Sequence, residues 1–283
     1  MILITGATGT VGSHLLQDLC RDGHAVRALV RSPEKADTLR GYHCETAVGS
    51  YEDGKSLRHA LHGVERVFLL TPAGARMAEQ EKALVDLLDP SVPVVKLAAL
   101  GFETGRGALA QQHLSVVQHL QERSQPMTVV APTSFLQNLI GFAGTITSTG
   151  QLLVPAGQAA VAHVDARDVA AVAAHVLTTS GHEGATYVVT GPEALTYDAV
   201  AARLGAALGR EVSYVDVPPP AAREAMVGAG LDPWLADALV ELYGLYRDGG
   251  TQEVSDEVQK ATGRRPRTLE DFVADHGAAF RTA

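Results

Sequence analysis

Cysteine is scarce in this chain, two in 283 residues. Cys20 and Cys44 make no disulfide framework and no metal-ligand spacing. They read as small core residues, which suits a reducing cytoplasm. Aromatic residues are only 5%, with one tryptophan, so aliphatic side chains must fill most of the core. Positive charge is not in excess. Lys and Arg number 23 against 32 Asp and Glu, a net charge of −9, so no nucleic-acid partner is expected. No apolar run approaches the length of a membrane span, so no membrane association is expected. The apolar start reads as a core strand rather than a secretory signal. The eleven histidines show no metal-ligand spacing; His59 and His62 fall among polar residues and read as solvated. Ser134 lacks identifiable His and Asp partners, which leaves nucleophilic hydrolysis without support.

What is present starts at residue 2. The apolar run Ile2 to Ile4 leads straight into Gly6-x-x-Gly9-x-x-Gly12, and an amphipathic stretch from Val11 to Leu19 follows. Strand, glycine turn and helix in that order make the phosphate-binding start of a dinucleotide fold. Gly6 permits the sharp turn, Gly9 lets the backbone approach a pyrophosphate, and Gly12 lets the helix pack close to the sheet. The free N–H groups at the helix N-terminus favour the phosphate charge.

Strand-like and helix-like segments then alternate. The patterning predicts strands at 2–5, 25–30, 44–48, 66–70, 92–97 and 127–130, and helices at 11–21, 33–39, 54–62, 78–88 and 108–123. Val- and Ile-rich strands in that alternation imply a parallel sheet covered on both faces. The fold class is α/β, a Rossmann-type doubly wound sheet with a smaller, mostly helical C-terminal lobe. The expected division is a dinucleotide-binding domain over 1–150, a return to the sheet at about 160–190, and a substrate lobe over 191–283. Residues 141–157, rich in Gly, Ser and Thr, read as a loop across the mouth of the site.

Ligands on such sheets bind at the carboxyl ends of the strands. That rule selects Gly6, Thr8, Gly9, Thr10, Val11, Gly12, Arg31, Lys35, Ser50, Thr71, Pro72, Ala98, Thr133 and Phe135 for the cofactor. It selects Ala99, His113, Phe135 and Asn138 for the substrate, joined by Met226 and Trp234 from the C-terminal helices. In NAD-preferring folds an acidic residue ends the second strand. Here Arg31 stands there, with Lys35 one helical turn on. Together they suit a 2′-phosphate and predict NADP(H) over NAD(H).

These motifs resemble the NmrA-like, atypical short-chain dehydrogenases/reductases. The likeness runs through Ile4-Thr-Gly-Ala-Thr-Gly-Thr-Val-Gly12, Val30-Arg-Ser-Pro-Glu-Lys35, Val67-Phe-Leu-Leu-Thr-Pro72 and Val94-Val-Lys-Leu-Ala-Ala-Leu-Gly101. It continues in Pro132-Thr-Ser-Phe-Leu-Gln-Asn138, His163-Val-Asp-Ala-Arg-Asp168 and the segment from Thr262 to Phe272. The resemblance implies a nicotinamide cofactor lying across the strand ends.

The chain departs from the superfamily's catalytic pattern of Ser or Thr after the fifth strand and Tyr-x-x-x-Lys on the next helix. Ala98-Ala99 stand at the serine position, His113 where tyrosine would fall, and Val117 where lysine would. His113 is the one titratable group expected near the nicotinamide, either as proton donor or as a pocket-shaping side chain. Lys96, inside the fifth strand, is expected to point away from the cofactor. Asp165 and Asp168 read as helix capping and loop fixing. The first reading is an NADPH-dependent reductase of a carbonyl on an apolar aromatic molecule, with the proton from substrate, water or His113. Within the resemblance, ketoreductases of aromatic polyketides, such as those acting on angucyclinones, also lack the triad. Quinone oxidoreductases are the neighbouring alternative, and a non-catalytic redox-sensing regulator is the rival. A monomer or homodimer is expected.

Overall fold

The computed structural model describes residues 1–281. β1 (Ile2–Ile4), α1 (Thr10–Arg21) and β2 (Val26–Val30) open the chain. There follow α2 (Pro33–Asp37), β3 (Glu45–Val48), α3 (Gly54–Leu61), β4 (Arg66–Leu69), α4 (Met77–Val85) and β5 (Val94–Leu97). α5 (Ala108–Glu122) and β6 (Met127–Pro132) complete the first half. Strand and helix order match the alternation predicted from hydrophobic patterning. β6 runs two residues further than expected because Pro132, which has no N–H to lose, still pairs with Val189 at the sheet edge.

After β6 come α6 (Ala143–Thr149), β7 (Gln151–Val154), β8 (Ala160–Val161), α7 (Ala166–Thr178) and β9 (Thr186–Val189). The seven-stranded parallel sheet has the order β3-β2-β1-β4-β5-β6-β9. Ile4 pairs with Ala28 on one side and Phe68 on the other. The winding reverses between β1 and β4, which opens a crevice at their carboxyl ends. α1 and α7 cover one face and share a core of Leu15, Leu16, Val169 and Val172. The other face is filled by Leu57, Leu84, Val85, Val116 and Leu120 from α3, α4 and α5.

The remaining elements are β10 (Leu195–Thr196), α8 (Tyr197–Leu208), β11 (Ser213–Asp216), α9 (Pro219–Gly228), α10 (Pro233–Arg247), α11 (Glu257–Thr262) and α12 (Leu269–His276). A separate core joins Ile146, Leu152, Val154, Tyr197, Leu204, Phe272 and Phe280. The expected division at 150 and 191 follows chain order, whereas the packing does not. Leu136 to Val161 belong to this second core, and Val258 of α11 returns to the first.

Residues 141–157 are not the expected loop across the site. They form α6 and β7, β7 pairs with β11, and Gly150 ends α6 at φ +69°. Ile146, Leu152 and Val154 are fully buried. Three apolar anchors outweigh a composition that locally signals a loop.

Candidate functional site

One cavity of about 1150 Å³ runs along the carboxyl ends of β1, β2, β4, β5 and β6 and under α10. That exceeds the usual volume of a single drug-sized pocket, roughly 300–1,000 Å³.

The end of the cavity beside β1 is built of backbone. Gly6 sits at φ +65°, and a Cβ there would meet the Leu70 carbonyl at 2.9 Å. Gly9 opens α1 with extended backbone and no capping side chain, and the first turn holds no acidic residue. The helix N-terminus is thus left for an external anion. A Cβ on Gly12 would lie 2.1 Å from the Gly6 carbonyl, so this glycine lets the helix close on the turn. Gly6, Thr8, Gly9, Thr10 and Val11 line the cavity; Gly12 does not.

Arg31 and Lys35 both line the next stretch, exposed, and neither makes an ion pair among the described residues. Two unneutralised cations beside a glycine cradle fit a phosphorylated ribose. Ser50 does not line the cavity. Its hydroxyl turns to the Glu52 carboxylate, and its neighbours Gly49 and Tyr51 take the place expected for it. Tyr51 lies in the stretch 49–51 that the strand-end rule marks after the third strand, although Ser50 was the residue chosen from it. Burial raises its phenol pKa, and Glu81 adds to the shift.

Thr71 and Pro72 follow β4, Ala98 and Ala99 follow β5, and Thr133, Phe135 and Asn138 follow β6; all line the cavity. The Thr133 hydroxyl donates to the Ala162 carbonyl at 2.5 Å and so holds the wall in place. Asn138 Nδ2 donates to Ser134 Oγ at 3.3 Å.

His113 enters from α5 at 9% exposure, and its Nδ1 has no hydrogen-bond partner among the described residues. Burial, then the charge of Lys96, hold its imidazole well below the usual histidine range. The ring is therefore neutral at physiological pH. Val117, one turn on, is buried. Lys96 is fully buried and lies outside the cavity lining, bonded to Glu81. Asp165 caps α7 by accepting from Arg167 N at 2.9 Å, and Asp168 accepts from Arg267 N at 2.7 Å, which ties the C-terminal segment down.

The far wall differs from expectation. Ala238, Leu242, Leu245 and Tyr246 of α10 line the cavity, whereas Met226 and Trp234 do not. Trp234 shares the helical stripe with Ala238 and Leu242 but lies one turn before the cavity begins. Met226 sits on α9, which packs against α10 and contributes no lining residue. The segment from Glu103 to Ala110 forms a wall that strand-end reasoning did not supply. Gly105 and Gly107 in it, and Gly101 just before it, all have positive φ. Arg106 donates to Asp248 at 2.6 Å and Ala108 N to Glu241 at 2.8 Å, which tether this segment to α10.

Fold and cavity together define a dinucleotide-binding α/β protein with a second compartment beside the dinucleotide crevice. A family model described as NAD(P)H-binding matches residues 6–180, and one for the NmrA-like family matches residues 108–273. The chain belongs to the NmrA-like family of NAD(P)H-binding proteins. It is 38% identical to an NAD(P)H azoreductase of Xenophilus azovorans over the full length of both. It is 36% identical to a (4-alkanoyl-5-oxo-2,5-dihydrofuran-3-yl)methyl phosphate reductase of Streptomyces griseus, covering 99% of each chain. Among solved structures it resembles an NADPH-dependent quinone oxidoreductase of Escherichia coli complexed with NADPH. The TM-score is 0.88 at 27% identity, covering 97% of this chain and 99% of the other.

Proposed function

We propose that the protein is an NADPH-dependent reductase of a carbonyl on an aromatic polyketide or quinone-like substrate. The observation that carries this reading is the make-up of this cavity. One end is a glycine cradle beside two unpaired cations, and the other is an apolar wall from α10.

Gly6, Gly9 and the amino end of α1 would hold the pyrophosphate, and Arg31 with Lys35 the 2′-phosphate. NADPH, when bound, supplies the hydride. The chain's own work is to place and desolvate the acceptor between Ala98-Ala99, His113, Phe135 and the α10 wall. Ala98 and Ala99 leave no hydroxyl where the superfamily's serine would stand. A neutral imidazole can donate a hydrogen bond but is a poor acid. The acceptor best suited to such a site is one whose reduced form is a stabilised anion, or one that carries its own phenol beside the carbonyl. A hydroquinone meets the first condition and a hydroxylated aromatic ketone the second.

The relatives above, an azoreductase, a butenolide reductase and a quinone oxidoreductase, all reduce conjugated acceptors by their names. No helix among the described residues is long and apolar enough to cross a membrane. Cys20 and Cys44 are free and in contact; burial and then the neighbouring thiol push Cys20 up to about 11. A pair of protonated thiols suits a reducing cytoplasm.

NADPH oxidation with a para-quinone, an azo dye, a hydroxylated aromatic ketone and an aliphatic ketone tests the reading. Steady turnover with at least one conjugated acceptor and none with the aliphatic ketone is expected. Tight NADPH binding with no turnover across the panel would instead mark a sensor.

A further inference from the structure

Lys96 lies within β5 and Glu81 within α4, and both side chains are fully buried. Lys96 Nζ is 2.8 Å from Glu81 Oε2; it donates to Glu81 Oε1 at 3.0 Å and to the Leu97 carbonyl at 2.5 Å. Glu81 Oε1 also accepts from the Thr71 N–H at 3.1 Å and from the Thr71 hydroxyl at 3.2 Å. Thr71 lines the cavity, as does His113.

An ion pair in such a place is a poor stabiliser. Its desolvation cost rivals its attraction, and apolar residues of similar volume often serve stability as well or better. Around it, Leu84, Val85, Val94 and Val116 already form an apolar core. What the pair does contact is the back of the cavity wall.

We propose that Glu81 and Lys96 are a buried positioning pair for the reducing end of the cavity. Glu81 clamps Thr71 from behind, and Lys96 fixes Glu81 and sets a positive charge behind His113. The proposal rests on the reductase reading and deepens it. The clamp uses both polar groups of Thr71 that face inward, so the turn after β4 has one orientation. The effect on His113 agrees with its neutral ring, for which Lys96 is the second cause after burial. Other charged groups on elements packed against α5 meet other residues of that helix, Asp86 lying 2.7 Å from His119 Nε2. Lys82 of α4 donates to Ser115 at 2.7 Å, and Glu241 of α10 accepts from Ala108 N.

The test uses the full chain with four variants: Lys96→Met, Glu81→Gln, the double Lys96→Met/Glu81→Met, and Lys96→Arg. Melting temperature, NADPH affinity, kcat and KM for a para-quinone, and the His113 ring resonances against pH without cofactor are measured. The double variant is expected to fold, with kcat lower by about ten- to hundredfold, the cost of a misplaced reacting group. NADPH affinity and KM should change far less than kcat. The His113 titration should move upward in Lys96→Met and the double variant, and back with Lys96→Arg. If the double variant does not fold, Lys96→Met, which leaves Glu81 without the group that fixes it, carries the same comparison. Unchanged kcat in folded Lys96→Met or in the folded double variant overturns the proposal. Should the wild-type protein turn over no acceptor, the reductase reading fails by itself, and an unmoved His113 titration then overturns the pair.

Discussion

The two ends of the cavity are built from different materials. The dinucleotide end is mostly backbone, namely Gly6, Gly9 and the amino end of α1, with Arg31 and Lys35 close by in sequence. The substrate end is side chain, drawn from α5, the 101–107 segment and α10. Its tethers join residues 142 and 133 positions apart. A backbone site is specified by local turns and tolerates almost no added atoms. A side-chain site is specified by how distant helices pack and can lose a contact without losing its shape. Substitutions at the first end should therefore abolish binding, and those at the second should tune it.

The sharpest break comes at Gly9. Its extended backbone accepts any residue, but a Cβ there would lie only 3.2 Å from the Gly6 carbonyl oxygen, so the fold of Gly9→Val is checked by its melting temperature. Its branched side chain would occupy the space of the pyrophosphate. NADPH affinity measured by fluorescence titration should fall by at least about a hundredfold, or roughly 2.7 kcal/mol. A normal dissociation constant would place the cofactor elsewhere.

The junction between the two apolar cores is sensitive to acid. His163 is buried, its ring stacks edge-on to Tyr197, and Nδ1 is 3.1 Å from the Val161 carbonyl. Burial lowers its pKa to about 4, against the partial lift of that hydrogen bond. The folded form thus favours the neutral ring. Its stability is fully present above the unfolded value of about 6.5, is lost as pH falls from there to about 4, and levels off below. Between pH 7 and 4.5 this amounts to about 2–3 kcal/mol. Urea midpoints against pH should show that loss, and His163→Leu should flatten it.

Arg31→Ala sharpens the dinucleotide end further. Loss of one charged contact should weaken NADPH by about tenfold and leave NADH within about twofold. Equal losses would remove the argument for a 2′-phosphate at this position.

The smallest effects belong to the α10 wall. Leu242→Ala should raise KM for an aromatic acceptor by about three- to tenfold, from lost apolar contact. Trp234→Ala, although a larger truncation, should leave KM within about twofold. The reverse order would restore Trp234 to the pocket.

The same contrast governs what could be read from the chain. β1, the glycine turn and α1 are contiguous, and each residue there constrains its neighbours, so the cradle was legible. Ala98, Ala99, Thr133 and Phe135 were found because parallel strands bring their carboxyl ends together. Ser50 was missed by one residue: an Asp-capped turn before α3 aims its hydroxyl at Glu52 and presents Tyr51 instead. Trp234 and Met226 were taken from the apolar residues of the C-terminal helices, whereas the stripe of α10 that meets the cavity depends on its packing against α5. Glu103 to Gly107 carry no periodic signal, and their position follows from the positive-φ glycines 101, 105 and 107 and two tethers to α10. The mutual partner of Lys96 could not be inferred because Glu81 arrives from a separate helix.

A cavity that is continuous from Arg31 to Leu242 has a kinetic consequence. Both reactants share one chamber, and no separate carrier site is needed to store reducing equivalents between them. Initial-rate plots against either substrate should therefore intersect rather than run parallel. A dinucleotide held in the glycine cradle would complete the floor beneath an acceptor, and product inhibition would then follow an ordered scheme in which NADPH enters first and NADP leaves last.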